Sequence, residues 1–456
     1  MGEIHNENKL GTMPCGRLLA SMSIPMMISF FIQAMYNIID SMFVAMLSEN
    51  ALTAVSLAFP IQQIVNAIGV GIAAGITALV PRCLGQGDGR TANQIANSGI
   101  FLNGTATLIF LVLGIFLPST FYRMQTDVTE IVQGGTVYLT IVMCLSAGVL
   151  FGQYFEKMLV ASGYARHAMY CQGAGAVFNI VFDPLLIFGL GPFPRMGIAG
   201  AAVATVVGQL LATVLAAWLN RKINRSIHFD IRQMRPAPEC KEILKTGLPS
   251  MITIGLHSAT TFVINQILLV YSTTATAVYG IWIRLQNFAY MPVFGMNNGM
   301  IPILSYNLGN KRPDRIHETT RLAFLWVLIF TVTEMILLEL LPGGVLHLFS
   351  ASEAMLAIGI PAIRIVCISL PLGALSIIAS ASMQALRHPM DTLLLNVFRQ
   401  FVVIVASFAL LSAVFHRLNV LWAAVPITEV ISVIIAWFLY RRTMQDVERS
   451  ILHSNK

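Results

Sequence analysis

Polar and apolar positions along this chain fall into long blocks, with no strand-like alternation of single residues. Twelve apolar blocks stand out, at about 18–47, 52–81, 95–118, 131–155, 168–190, 198–219, 246–271, 276–306, 319–341, 353–384, 392–416 and 419–440. Each reaches or exceeds the roughly 20 residues that a helix needs to cross the hydrocarbon layer of a bilayer. The pattern predicts an all-α integral membrane protein of twelve transmembrane helices. An even number of spans returns both termini to one side.

Composition excludes the soluble alternative. Of 456 residues 56% are apolar and 11% charged, with mean hydropathy +0.74, whereas soluble domains carry near 25% charge. The 28 Lys and Arg are unevenly placed: 22 fall on the side of the termini and three (Arg123, Arg195, Arg417) on the other, with Arg284, Arg364 and Arg399 within or bordering spans. The positive-inside bias therefore puts both termini in the cytoplasm, and the net charge of +7 reflects this topology, not nucleic-acid binding. The six cysteines are scattered, without metal-type spacing or a disulfide framework. The first apolar block is too long for a signal peptide and is expected to remain as a span. The basic stretch 220–245, with Pro236 and Pro238, reads as a cytoplasmic linker. The domain reading is then a cytoplasmic segment 1–17, an N-lobe 18–219, the linker 220–245, a C-lobe 246–440 and a cytoplasmic tail 441–456.

The halves repeat each other at a separation of 224 residues. Pro25 meets Pro249, Ser48 meets Ser272, Ala51 meets Ala275, Gln62 meets Gln286, Gly71 meets Gly295, Gly75 meets Gly299 and Leu84-Gly85 meets Leu308-Gly309, without a gap. The same offset aligns LVASGYAR (159–166) with MQALRHPM (383–390), so that VASGYAR (160–166) meets QALRHPM (384–390). Six spans per half give both halves one orientation. The expected architecture is two six-helix bundles related by a pseudo-two-fold along the membrane normal, an arrangement used by transporters that bind substrate near the midplane.

The chemistry is not repeated. Asp40 maps to Ile264, Asp183 to Ser407 and Asn179 to Val403. A carboxylate inside a span is costly and usually faces a wet or paired site. If the fold required these acids, the second copy would need them too. By the expected boundaries Asp40, Asp183 and Thr205 each lie seven residues from the outer end of a span, roughly 10 Å deep. Asn179 and Asp183 share one helix face at i and i+4, and Tyr36 and Asn37 lie one turn from Asp40. Two carboxylates, an amide and a hydroxyl at one level suit Na⁺ or a shared proton; holding helices together is the simpler alternative role. Pro25 and Pro184 free backbone carbonyls within spans, as hinges or as fixed kinks.

These residues resemble the multidrug and toxic compound extrusion (MATE) family. The resemblance rests on IPMMISFFIQAMYNIIDSMFVAML, the LGQGDG loop, ASGYARHAM, NIVFDPLLIFGLG and GIAGAAVATVVGQ, and runs from about 15 to 440. The span-1 Asp with the span-5 Asn-x-x-x-Asp is similar to the DinF-type and MepA-like branches. It implies a MATE-like, V-shaped two-lobe fold and export of bulky, often cationic compounds against H⁺ or Na⁺ entry. A cation site at Asp40, Asn179, Asp183 and Thr205 is implied as well, with Asp40, Asn179 and Asp183 as Na⁺ ligands if Na⁺ is the coupling ion. The NorM-type pattern is not met: His257 stands about where that branch has a glutamate, and no acid lies between Ile368 and Leu386.

Gln33, Tyr36, Asn37, Gln62, His257 and Gln286 are candidates for a substrate cavity. Glu429 is a second acid to test, and Arg284 and Arg364 are read as structural. Glu156-Lys157 reads as an exposed pair at the cytoplasmic end of span 4. LGQGDGRT lacks the Gly-Lys-Ser/Thr ending of a phosphate-binding loop, so direct ATP drive is not supported. The expectation is a cation-coupled antiporter working as a monomer in the cell membrane. Its partners are small organic substrates and the lipid bilayer, with no nucleic acid, and it needs no cofactor beyond H⁺ or Na⁺. A lipid-linked precursor flippase and an intramembrane enzyme are the alternatives.

Overall fold

The computed structural model describes residues 9–224, 227–229, 235–349 and 351–454. The other residues, including parts of the expected N-terminal segment, the 220–245 linker and the C-terminal tail, lie outside the described residues. About 88% of the described residues are helical, and no strand occurs among them.

Seven long helices make the first half: α1 Cys15–Ala45, α2 Glu49–Gly85, α3 Gly89–Arg123, α4 Thr129–Cys144, α5 Ala147–Ala161, α6 Ala165–Phe188 and α7 Ile198–Ile223. The second half has α8 Pro238–Leu269, α9 Thr273–Ala289, α10 Met291–Gly309, α11 Pro313–Leu340, α12 Glu353–Val366 and α13 Ser369–Ala385. It ends with α14 Pro389–Val397, a π-helical turn Phe398–Val402, α15 Val403–Phe415 and α16 Ala424–Ser454. Among the described residues nine helical stretches are long and apolar enough to cross a membrane, or eleven counting the bent pairs α4–α5 (42°) and α12–α13 (46°). The block at 276–306 supplies the remaining expected span as two helices, α9 and α10, that meet at Tyr290.

The repeat is visible in local structure. Ser48 and Ser272 each have an extended backbone and a side chain that accepts a hydrogen bond at 3.0 Å, from the N–H of Ala51 and of Thr274. Each cap satisfies a donor left free at a helix start, worth about 1 kcal/mol. Even the kinks recur: the break after Cys144 and the break after Val366 fall in the fourth span of each half.

The chain divides into two compact units. One contains residues 24–251, and the other 10–23 with 252–456. Helix α1 thus starts in the second unit and continues in the first, and α8 does the reverse. The repeated glycines explain how. A Cβ on Gly75 would lie 2.5 Å from the carbonyl oxygen of Ile243, and one on Gly299 would lie 2.8 Å from Ser23 Cα. Only glycine leaves room for these backbones to pack so closely.

In the first unit two apolar clusters enclose α2 between its neighbours. One gathers Ile76, Leu79, Ile95, Tyr154 and Met158; the other gathers Ala58, Phe110, Tyr122, Leu139 and Leu150. Tyr122 and Tyr154 donate their buried hydroxyls to the carbonyls of Ala54 and Ala96, both at 2.6 Å. These bonds satisfy polar groups that would otherwise be costly inside an apolar bundle.

Candidate cation site and adjoining cleft

The site begins with two glycines. Gly175 on α6 and Gly208 on α7 face each other so closely that a Cβ on either would lie 2.9 Å from the other's carbonyl oxygen. Small residues at a helix crossing let backbones approach and side chains on either side of the crossing meet. One turn further on, the Asn179 amide reaches both Asp183 Oδ1 and Thr205 Oγ1 at 3.3 Å. Turned by half a rotation, the same amide donates to Asp183 Oδ2 at 3.1 Å and accepts from the Thr205 N–H at 3.3 Å. In both orientations Asn179 joins Asp183 to Thr205.

Asp40 completes the group from α1, within hydrogen-bonding reach of Asp183. Two carboxyls that close share a proton or a cation, because two bare charges would repel at short range in a poorly screened site. Asp183 is fully buried, and Asp40 Oδ1 is buried without a hydrogen-bond partner. An orphaned acceptor beside a carboxylate, an amide and a hydroxyl is a donor set of oxygens that fits a hard monovalent cation or a proton.

Register comes from apolar packing beyond the acids. Val44, Ala51, Ile187 and Ala201 form a buried cluster with Phe43 and Phe188, whose rings meet edge to face at 6.4 Å. Asp40 lies five residues before the end of α1 (45 − 40) and Asp183 five before the end of α6 (188 − 183). The same cluster pins both helix ends, so both acids are held at one level. Tyr36 and Tyr138 stand within electrostatic reach of Asp40.

A cleft of about 590 Å³, counting the open space at its mouth, lies beside this group, and Asn179 and Thr205 line it. Of the cavity candidates, Gln33 and Tyr36 also line it. Gln62 instead donates to the Tyr138 hydroxyl at 3.0 Å, and Asn37 is exposed, its carbonyl accepting from Ser41. His257 and Gln286 belong to the second unit, where His257 is exposed and Gln286 half-buried. Glu156 departs from expectation: it is half-buried and lines the cleft. The sequence puts it just past the end of the fourth apolar block, 131–155, where an exposed pair with Lys157 is expected at the cytoplasmic interface. Adjacent helical residues point about 100° apart; both are half-buried, and Glu156 is the one that lines the cleft.

The second unit fills the corresponding place differently. Gly175 maps to Arg399, which makes a double hydrogen bond with Glu429, Nε to Oε2 and Nη2 to Oε1, each 2.8 Å. Both partners are buried. Arg399 sits on the π-helical turn, whose irregular ladder frees the Gln400 carbonyl to accept from Thr260 Oγ1. Gly373 gives the Tyr290 hydroxyl and the guanidinium room; a Cβ there would collide with the tyrosine. Ile264, the counterpart of Asp40, is fully buried. Of the other intramembrane charges, Arg364 lies 3.8 Å from Glu339, and both are exposed. The sequence marked Glu429 but set Arg399 aside, and only the repeat offset, applied to Gly175, signals the pair.

A family model matches residues 25–185 and again 249–409, two copies at the 224-residue separation. A FAD transporter of Shewanella oneidensis is 27% identical over 443 residues, covering 95% of this chain and 96% of that protein. The multidrug export protein MepA of Staphylococcus aureus is 25% identical, covering 96% and 97%. A solved outward-facing multidrug resistance MATE family transporter of the MOP superfamily superposes with TM-score 0.90 at 23% identity, covering 98% of this chain and 100% of that one. With both repeats matched and the twelve-block organisation accounted for, this chain belongs to the MatE family, whose members are multi-pass membrane transporters of small molecules.

Proposed function

We propose that this chain is a cation-coupled antiporter that exports bulky, often cationic organic compounds by alternating access, with H⁺ or Na⁺ as the coupling ion and no other cofactor. It works as a monomer with both termini cytoplasmic, as the 22-to-3 distribution of Lys and Arg indicates. Relatives named as multidrug exporters and as a FAD transporter support export of organic molecules.

The observation that carries the coupling is the one-sided acid pair: Asp40 and Asp183, tied through Asn179 to Thr205 in the first unit, with Ile264 and Ser407 at the matching positions of the second. Arrival of a cation neutralises the pair and removes the repulsion between α1 and α6. Helix α1 carries Gln33 and Tyr36 in the cleft and Asp40 in the pair, so repacking α1 changes the cleft as the ion binds. That is the differential interaction an antiporter needs: the ion and the substrate favour different arrangements of one helix. In this reading Pro25, inside α1, eases the repacking.

Reconstituted vesicles with pH and Na⁺ gradients imposed separately test the reading. Efflux of a cationic dye driven by one of the two gradients supports it. Efflux indifferent to both contradicts it.

A further inference from the structure

The fifteen residues lining the cleft include one carboxylate, Glu156, and no Lys, Arg or His. The remaining polar lining is neutral: the amides of Gln33, Gln153, Gln172 and Gln209, the Asn179–Thr205 pair and the Tyr36 hydroxyl. Lys157, next in sequence, lies within electrostatic reach of Glu156 but does not line the space; Tyr36 on α1 and Cys171 on α6 also lie within reach of Glu156. A half-buried carboxylate facing a polar cleft without a cationic neighbour in its lining is a recognition group for a positive charge.

Its position matters as much as its charge. Helices α5 and α6 run in opposite directions from the turn at 162–164. Glu156 lies five residues from the end of α5 (161 − 156), and Asp183 lies 18 from the start of α6 (183 − 165). At 1.5 Å per residue the two are separated by roughly 20 Å along the helix axes. Asn179, the innermost member of the acid group, is roughly 13 Å from Glu156 on the same measure. The cleft spans that interval, since Gly148, Gly152 and Glu156 mark one wall and Gln172, Gly175 and Asn179 the other.

We propose that Glu156 is the substrate-recognition carboxylate of this cleft, seating the cationic centre of an organic monocation at a place distinct from the Asp40–Asp183 pair. The inference rests on the reading of the cleft as the substrate path, and it separates two roles that one acid pair could otherwise share. Substrate and coupling ion then act on each other through α1, which touches both sites by Gln33, Tyr36 and Asp40, and not by displacement from a common carboxylate. The apolar body of the compound lies against Val149, Ala176 and Ala212.

Equilibrium binding of tetraphenylphosphonium to the purified full chain, with no ion gradient, tests this. Triphenylphosphine oxide serves as a neutral probe of similar shape. The expected result is that Glu156→Gln weakens tetraphenylphosphonium binding tenfold or more and leaves triphenylphosphine oxide within twofold, while Glu156→Asp retains most of the cation preference. Tetraphenylphosphonium binding by Glu156→Gln within twofold of the unaltered protein overturns the proposal. A measurement without substitution guards against a misfolded variant. Carbodiimide labelling of Glu156, read by mass spectrometry, should be suppressed by tetraphenylphosphonium; labelling undiminished at saturating probe also overturns it. Because neither readout involves a gradient, failure here leaves the coupling role of Asp40 and Asp183 standing, and failure of that role leaves this result standing.

Discussion

Asp40 and Asp183, 143 residues apart in sequence (183 − 40), lie within hydrogen-bonding reach inside the first bundle. Asn179 then extends the pair to Thr205 on a third helix. The contact depends on the close passage of Gly175 against Gly208. Gly175→Leu should therefore separate α6 from α7 and abolish coupled efflux, although it alters no polar group. Overpacking of this kind costs about 1–3 kcal/mol. Thermal unfolding in detergent should show a folded but destabilised protein, and dye efflux from vesicles should fall at least tenfold.

Arg399 and Glu429 make the opposite prediction. A buried pair loses about 3–5 kcal/mol when one partner is removed, whereas replacing both with apolar groups is often neutral. Arg399→Leu and Glu429→Leu should each lower the unfolding temperature sharply, and the double substitution should recover most of the loss. Single variants as stable as the double one would show that the ion pair adds little to the second bundle.

Two turns of the repeat use the same backbone with different residues. Gly163 (φ 91°) corresponds to Arg387 (φ 73°), and Gly87 (φ 76°) to Lys311 (φ 53°). The left-handed region costs a non-glycine residue about 1–2 kcal/mol. Gly163→Ala should destabilise by about 1 kcal/mol, while Arg387→Gly should be neutral or stabilising. Melting curves of the two variants settle the point.

Asp88 caps α3, accepting from Thr91 Oγ1 at 2.6 Å and Thr91 N at 3.0 Å. These hydrogen bonds hold its carboxyl below the usual carboxylate range. A group that titrates lower folded than unfolded stabilises above its unfolded value and loses that contribution as pH falls through the folded one. The window lies below about pH 4. Hydrogen exchange at Thr91 and Ala92 should accelerate there, and Asp88→Asn should remove the pH dependence.

Much of this was legible in the sequence because the bilayer simplifies the physics. Blocks of twenty apolar residues must become helices, and the serine caps, glycines and kinks fall where the 224-residue offset puts them. The intramembrane acids stood out because a charge there needs a reason. Glu156 was misread because the boundary of a span blurs over several residues, and one turn decides whether a side chain faces solvent or a cleft. The Arg399–Glu429 pair escaped because its helix carries a π turn, which shifts the facing of the residues beyond it and leaves no mark in hydropathy. The transfer of residues 10–23 and 238–251 between units is set by backbone approach at Gly75 and Gly299, again without a hydropathy signature.

The central claim is that one acid pair in one bundle couples the ion to export. The direct measurement is gradient-driven dye efflux from vesicles containing Asp40→Asn or Asp183→Asn protein at matched incorporation. The account predicts that each substitution reduces coupled efflux to near background, while Ile264→Asn, at the matching position of the second bundle, cannot restore it. Efflux at the unaltered level from both aspartate variants would contradict the account.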